Sequence, residues 1–267
     1  MLRDITLGQY YRTESVVHKL DPRVKLVATF MFIISLFVAN NIIGYIIAAL
    51  FLIMCIALSN VPPKFIFRGM KTIFFLLVIT MIFNLFLTPG KELVSFWKFT
   101  ITYEGVKMAS MMAIRLIFLI TGSSLMTLTT TPNNLTDGLE RLLRPLKLFK
   151  VPVHEIAMMM SIALRFIPIL MEETDKIMKA QMARGADFES GSLITRAKSL
   201  VPLLVPLFIS AFRRANDLAM AMEARCYRGG EGRTKMKPLI YSNIDRIAYL
   251  VIIVYLALVI ICGRILF

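Results

Sequence analysis

The chain has 267 residues, of which 57% are hydrophobic, with a mean hydropathy of +0.71 and a formal net charge of +14. An average that apolar belongs to a polytopic membrane protein and excludes an ordinary soluble domain of this length. Three cysteines without CxxC spacing and only two histidines exclude a disulfide scaffold or a zinc centre, so Cys55, Cys226 and Cys262 read as small apolar packing residues.

Acids locate the membrane by their absence: none lies between Asp21 and Glu92, between Glu104 and Asp137, or after Asp245. Residues 24–39 and 42–58 are apolar runs, each slightly short of the roughly 20 residues that cross a bilayer. Separated by Asn40-Asn41, they predict a hairpin of two short helices or a re-entrant pair. Asp21 is placed to cap the first helix, with Pro22 at its start. Pro62-Pro63 stops the second, and Lys64, Arg68 and Lys71 decorate the turn. A third run over 72–87 ends at the turn signal Thr88-Pro89-Gly90, and the following connection carries Trp97 and Phe99 as interfacial anchors. The fourth run, 106–130, holds Arg115 deep within it, either as a functional charge or as a group that snorkels or pairs inside the bundle. A last span covers 247–261, opened by Asp245 and Arg246.

Between residues 131 and 243 the pattern changes: basic residues become frequent, prolines punctuate, and apolar residues recur at helical spacing. Three helices are expected here, over 133–143, 153–186 and 192–227. Thr131 or Asn133 caps the first; Gly185 and Gly229-Gly230 stop the two long ones; Pro168 and Pro206 kink them. Each long helix is apolar in its first half and charged in its second, with Glu172, Glu173, Asp175, Lys176 and Lys179 on one and Arg213, Arg214 and Asp217 on the other. Helices lying obliquely at the inner membrane face have this gradient; two further spans would show a weaker version of it. The chain therefore reads as all-α, with about five transmembrane helices and a cytosolic-side module of long helices. Its parts are 1–131 with the first four spans, 132–242 with the long helices, and 243–267 with the last span.

Lysines and arginines concentrate on the cytosolic side of membrane proteins. A cytosolic N-terminus puts Arg3, Arg12, Lys19, Arg23, Lys25, Lys64, Arg68 and Lys71 inside with the helical insert, leaving Lys91, Lys98 and Arg264 outside with the C-terminus. This bias accounts for much of the positive charge without nucleic acid. The chain has no GxxxxGK[ST], HExxH or GxSxG motif, and its spans carry no carboxylate for ion coupling. No catalytic residue and no metal ligand can be named. Such a protein works through contacts.

Two sequence segments repeat a device 41 residues apart: Ala183-Arg184-Gly185 and Ala224-Arg225-Cys226, each ending a long helix. A guanidinium is permanently charged and offers a planar fork of donors to a carboxylate or to carbonyls in a partner's groove. It also offsets the negative end of its own helix dipole, the simpler explanation for one arginine standing alone.

With Leu7-Gly8-Gln9-Tyr10-Tyr11, His18-Lys19-Leu20-Asp21-Pro22-Arg23, Thr129-Thr130-Thr131-Pro132, Leu139-Glu140-Arg141-Leu142-Leu143-Arg144-Pro145, Val151-Pro152-Val153-His154-Glu155 and Ala163-Leu164-Arg165-Phe166-Ile167-Pro168, these motifs make the chain resemble, over essentially its whole length, the transmembrane T component of energy-coupling factor transporters of bacterial cell membranes. The resemblance implies a non-catalytic scaffold. Two cytosolic ABC-type ATPases, which bind ATP and Mg, would grip the Ala183-Arg184-Gly185 and Ala224-Arg225-Cys226 ends. A separate small membrane protein, the S component, would capture a vitamin or other micronutrient. Cys226 against Gly185 makes the two ends unequal. The flexible Met158, Met159 and Met160 suit a face that receives S components, or else fill the core or face lipid. The alternatives are a self-sufficient secondary carrier and a conventional ABC permease.

Overall fold

The computed structural model describes residues 10–39, 41–96, 99–188, 192, 194, 198–230, 236 and 238–265. Among these, the helices are α1 (Val16–Lys19), α2 (Pro22–Val38), α3 (Ile42–Ser59), α4 (Pro63–Leu87), α5 (Tyr103–Thr129), α6 (Pro132–Leu143), α7 (Val153–Ala183), α8 (Val201–Ala224) and α9 (Asn243–Ile265). A 3-10 helix, Arg144–Phe149, follows α6. Strands β1 (Glu92–Phe96) and β2 (Phe99–Thr102) form one antiparallel hairpin between α4 and α5. The all-α reading holds apart from that hairpin. Trp97 and the Phe99 side chain, expected as interfacial anchors, lie outside the described residues. Ser192, the expected start of the second long helix, is described and not helical, and that helix runs from Val201 to Ala224 instead of over 192–227.

Helix starts follow their local chemistry. Asp21 caps α2, its carboxylate accepting from the Arg23 N–H at 2.9 Å, with Pro22 at the first helical position. Thr131 caps α6 by accepting from the Asn134 N–H at 3.3 Å. Ser242 and Asp245 form a reciprocal box at the start of α9: the Asp245 carboxylate accepts from the Ser242 N–H at 2.7 Å, and the Ser242 hydroxyl accepts from the Asp245 N–H at 3.4 Å. Both α7 and α8 run through their internal prolines, Pro168 and Pro206.

Four helices are long and apolar enough to cross a membrane among the described residues: Ile42–Ser59, Tyr103–Thr129, Val153–Ala183 and Asn243–Gly263. The pair Pro63–Lys71 and Ile73–Leu87, bent by 61°, passes the same test only when taken together, as a broken span or a re-entrant loop. The number agrees with a polytopic protein of about five spans, but its membership differs from the expectation in two places. Helix α2 has 17 residues and falls just short, whereas the first half of α7 is apolar enough to qualify. The segment carrying Lys64 and Lys71 is also not a turn after a proline stop. Pro63 sits in the first turn of α4, where its missing N–H costs nothing, and the helix resumes at once.

The chain divides into two compact units. Among the described residues, one covers Glu140–Pro238 and the other the rest of the chain from residue 10 on. The second unit holds the larger core, where Phe32, Leu36 and Ala39 of α2 and its end meet Tyr45, Ala48 and Leu52 of α3 and Tyr255 and Val259 of α9. Phe51 stacks on Tyr255 with ring centroids 4.3 Å apart, and the Tyr255 hydroxyl is 2.6 Å from the Ser35 hydroxyl. Gly122 lets α5 approach α2: a Cβ there would lie 2.8 Å from the Phe32 ring. A smaller cluster, Val61, Ile66, Leu125 and Leu128, joins α4 to α5.

The buried charges among the described residues of this unit are partnered. Lys25, 7% exposed, donates to the Thr129 carbonyl at 2.8 Å and the His18 carbonyl at 3.2 Å, so its cation meets the last carbonyl of α5 and one of α1. Asp245, 2% exposed, also accepts from the Asp21 N–H at 2.8 Å. Arg23 clamps Asp21 with two hydrogen bonds of 3.0 and 2.7 Å and lies 3.8 Å over the Tyr241 ring. Arg115 donates to the Tyr45 hydroxyl at 3.0 Å and stands 5.4 Å from the Phe37 ring. Arg115 is thus paired within the bundle.

Candidate functional site

The unit that covers Glu140–Pro238 contains both arginine segments, and each closes its helix in the same way. Arg184 is the C-cap of α7, with φ −90° and ψ 8°, and Arg225 is the C-cap of α8, with φ −94° and ψ 16°. After Arg184 the chain turns left-handed at Gly185 (φ +88°); the Gly185 N–H donates to the Met182 carbonyl and the Ala186 N–H to the Gln181 carbonyl, both at 3.0 Å. After Arg225 it turns left-handed at Cys226 (φ +55°); the Cys226 N–H donates to the Glu223 carbonyl at 2.8 Å and the Tyr227 N–H to the Met222 carbonyl at 3.0 Å. Both patterns are Schellman motifs, in which the two residues after the cap recover helix-end carbonyls. The repeated tripeptides are therefore a repeated backbone geometry.

Ala183, Arg184, Gly185, Ala224, Arg225 and Cys226 are all exposed. Neither the Arg184 nor the Arg225 guanidinium makes an ion pair or a hydrogen bond among the described residues. Each thus presents its full set of donors, beside a small residue that lets another surface come close. A Cβ built on Gly185 meets nothing within 4 Å, so the backbone angle alone, and not crowding, favours glycine there. Cysteine at 226 takes the same region against the strain that a Cβ brings.

The methionines lie at the opposite end of α7 from its arginine. Met159 and Met160 are 58% and 39% exposed, and Met158 is half-buried. They share that exposure with Ile156 of α7 and with Val201, Leu204, Val205 and Phe208 of α8. Arg184 lies far from Met158–Met160 along α7, whereas the chain after Arg225 returns to that end: Gly230 packs against the His154 side chain, and Met222 and Ile162 line one cavity.

Residue types alone do not reveal a cluster between the long helices. Glu173 of α7 accepts from the Ser210 hydroxyl and from Arg214 Nη2 of α8, the latter at 3.1 Å. Toward the start of α7, His154 Nδ1 is 2.9 Å from Glu140. Among the described residues there is no group of three or more histidine, cysteine or acidic side chains fit to hold a metal ion.

Residues 13–236 match the family described as Cobalt transport protein, CbiQ. The chain is 58% identical to "Energy-coupling factor transporter transmembrane protein EcfT" of Clostridium kluyveri, covering 100% of this chain and 97% of the relative. It is 53% identical to the protein of that name from Ruminiclostridium cellulolyticum, with both chains fully covered. The Bacillus subtilis protein of the same name is 48% identical over 97% of this chain and 98% of its own length.

Proposed function

Since the chain belongs to the cobalt transport protein family, among the transmembrane proteins of energy-coupling factor transporters, we propose that it is the membrane scaffold on which two ABC-type ATPases drive uptake of a vitamin or other micronutrient. A separate membrane S component carries that cargo. ATP and Mg are bound by the ATPases, and this chain supplies contacts without catalysis.

The observation that carries the reading is the pair of matching helix ends. Two exposed guanidiniums sit at the same backbone position of two long helices, each without a partner among the described residues. In this reading Arg184 enters a groove of one ATPase and Arg225 a groove of the other, each donating to carboxylates or carbonyls there. Ala183, Gly185 and Ala224 permit close approach, and Cys226 makes the second contact unlike the first. Met158, Met159 and Met160, with rotatable side chains at the apolar end of α7, contribute to the S-component face.

The test is co-purification of the tagged chain from its own bacterial membrane. Two ABC-type ATPases and a small integral membrane protein are expected with the unaltered chain. Arg184→Glu and Arg225→Glu should each weaken ATPase docking by about 2–5 kcal/mol. Normal recovery of both ATPases on the doubly substituted chain overturns the docking role. Crosslinkers at 158–160 should capture the S component; capture of lipid alone overturns that assignment.

A further inference from the structure

We propose that Glu173, Ser210 and Arg214 form the pivot that fixes the crossing of α7 and α8 and so sets the spacing of the two arginine caps. The proposal rests on the reading of those caps as ATPase docks. It adds residues that touch no ATPase and act by positioning the two that do.

Register is the first support. Glu173 precedes Arg184 by eleven residues, and Arg214 precedes Arg225 by eleven. Eleven residues are close to three helical turns, about 16 Å of rise, so each pivot residue lies on nearly the same helix face as its cap. Glu173 and Arg214 thus occupy equivalent positions in two equivalent helices, and they bond to each other at 3.1 Å. Equivalent positions of two repeats meet only at the axis that relates them. The same offset recurs in Leu170 and Ala211, which line one cavity together.

The packing around the contact is the second support. Only Val153 and Ala157 of α7 and Leu203 of α8 are buried among the described side chains of these helices. A cavity of about 300 Å³ lies between the helices, lined by residues including Phe166, Leu170, Leu218 and Met222. So loose an apolar interface does not lock a crossing angle by interdigitation. The polar contact does: one carboxylate receives the Arg214 guanidinium on Oε2 and the Ser210 hydroxyl, one turn earlier on α8, on Oε1. With side chains 23% and 39% exposed, Glu173 and Arg214 are withdrawn enough from water for the pair to hold a geometry. Three turns away, a small change in crossing becomes a larger displacement of each cap.

The experiment measures that displacement in the full chain in lipid nanodiscs. Spin labels are placed on the native Cys226 and on Lys179→Cys, both exposed positions near the caps, with Cys55→Ser and Cys262→Ser removing the other thiols. The parent is expected to give one narrow distance. Glu173→Ala and Arg214→Ala should broaden or shift it by more than its own width, and the swap Glu173→Arg with Arg214→Glu should restore it. Glu173→Gln, which keeps an acceptor for Ser210, replaces the alanine variant if that fails to fold, and should broaden the distance less. An unchanged distance in the single variants, or no recovery in the swap, overturns the pivot. In parallel, ATP hydrolysis by the complex with its co-purifying ATPases should fall about tenfold in the single variants while both ATPases remain bound. Unchanged hydrolysis despite a broadened distance overturns the pivot's part in coupling. Failure of any ATPase to bind the parent overturns the docking reading instead and leaves the distance result standing.

Discussion

At position 185 the backbone needs a left-handed residue and has the one that adopts it freely; at position 226 a cysteine holds the same region. Gly185→Ala should therefore cost roughly 1 kcal/mol through strain alone, since the space beside it is empty. Cys226→Gly should return a similar amount, roughly 1 kcal/mol, less the added freedom of glycine in the unfolded chain. Thermal unfolding of the purified protein separates the two: one substitution lowers the midpoint and the other raises it. Equal effects would show that the two helix ends do not differ in strain. His18 offers a second test at this scale. Burial holds its imidazole below the ordinary 6.5; the Tyr11 carbonyl opposes that shift and the Lys25 ammonium adds to it. A histidine with a lowered folded value contributes stability that is complete above the unfolded value and is lost as pH falls toward the folded one. The unfolding midpoint should thus drop as pH goes from about 7 to about 5, and His18→Asn should flatten that dependence. A slope that survives the substitution would assign it to other groups.

Between elements, the starts of α2 and α9 in the second unit meet through a polar network. Asp245 takes the Asp21 and Ser242 N–H groups and the Ser242 hydroxyl, while Arg23 neutralises Asp21 and reaches the Leu239 carbonyl at 3.3 Å. Asp245→Ala strands three donors, the Asp21 N–H among them buried, and should destabilise by about 3 kcal/mol, read from the loss in unfolding midpoint in detergent. Asp245→Asn should cost less, because one amide oxygen still accepts. A near-neutral Asp245→Ala would mean that water replaces the carboxylate. These joints also mark where a one-dimensional reading stops. Asp21-Pro22 announces a helix start and Gly185 a helix stop because caps are local chemistry, complete within four or five residues. The bend of α4 between Lys71 and Ile73 is not announced by any proline at that point, and Pro62-Pro63 is itself compatible with a stop or with a new start, so only neighbours decide. Arg115 is visible as a charge among apolar residues, yet Tyr45, its partner, lies 70 residues away. Glu173 and Arg214 look like ordinary charges on the polar halves of two helices until the helices cross.

For the molecule as a whole, the open physical question is which helices cross the bilayer, and α7 carries the answer. Its first half is apolar enough to span, while Glu172, Glu173, Asp175, Lys176 and Lys179 crowd its second half. If α7 crossed, Arg184 would emerge on the side opposite to the start of the helix, and α8 would have to return before Arg225 could face the cytosol. Two arginines on opposite faces cannot serve two cytosolic ATPases. The charge pattern favours one side for both, because residues 12–71 carry Arg12, Lys19, Arg23, Lys25, Lys64, Arg68 and Lys71 with the insert also basic, against Lys91, Lys98, Lys107 and Arg264 at the opposite ends of the spans. Cys226 and Lys179→Cys, both exposed, report the two helix ends directly. A membrane-impermeant maleimide should label neither in right-side-out vesicles and both, at similar rates, in inside-out vesicles. Labelling of Lys179→Cys from the outer face would make α7 a span and remove one of the two handles.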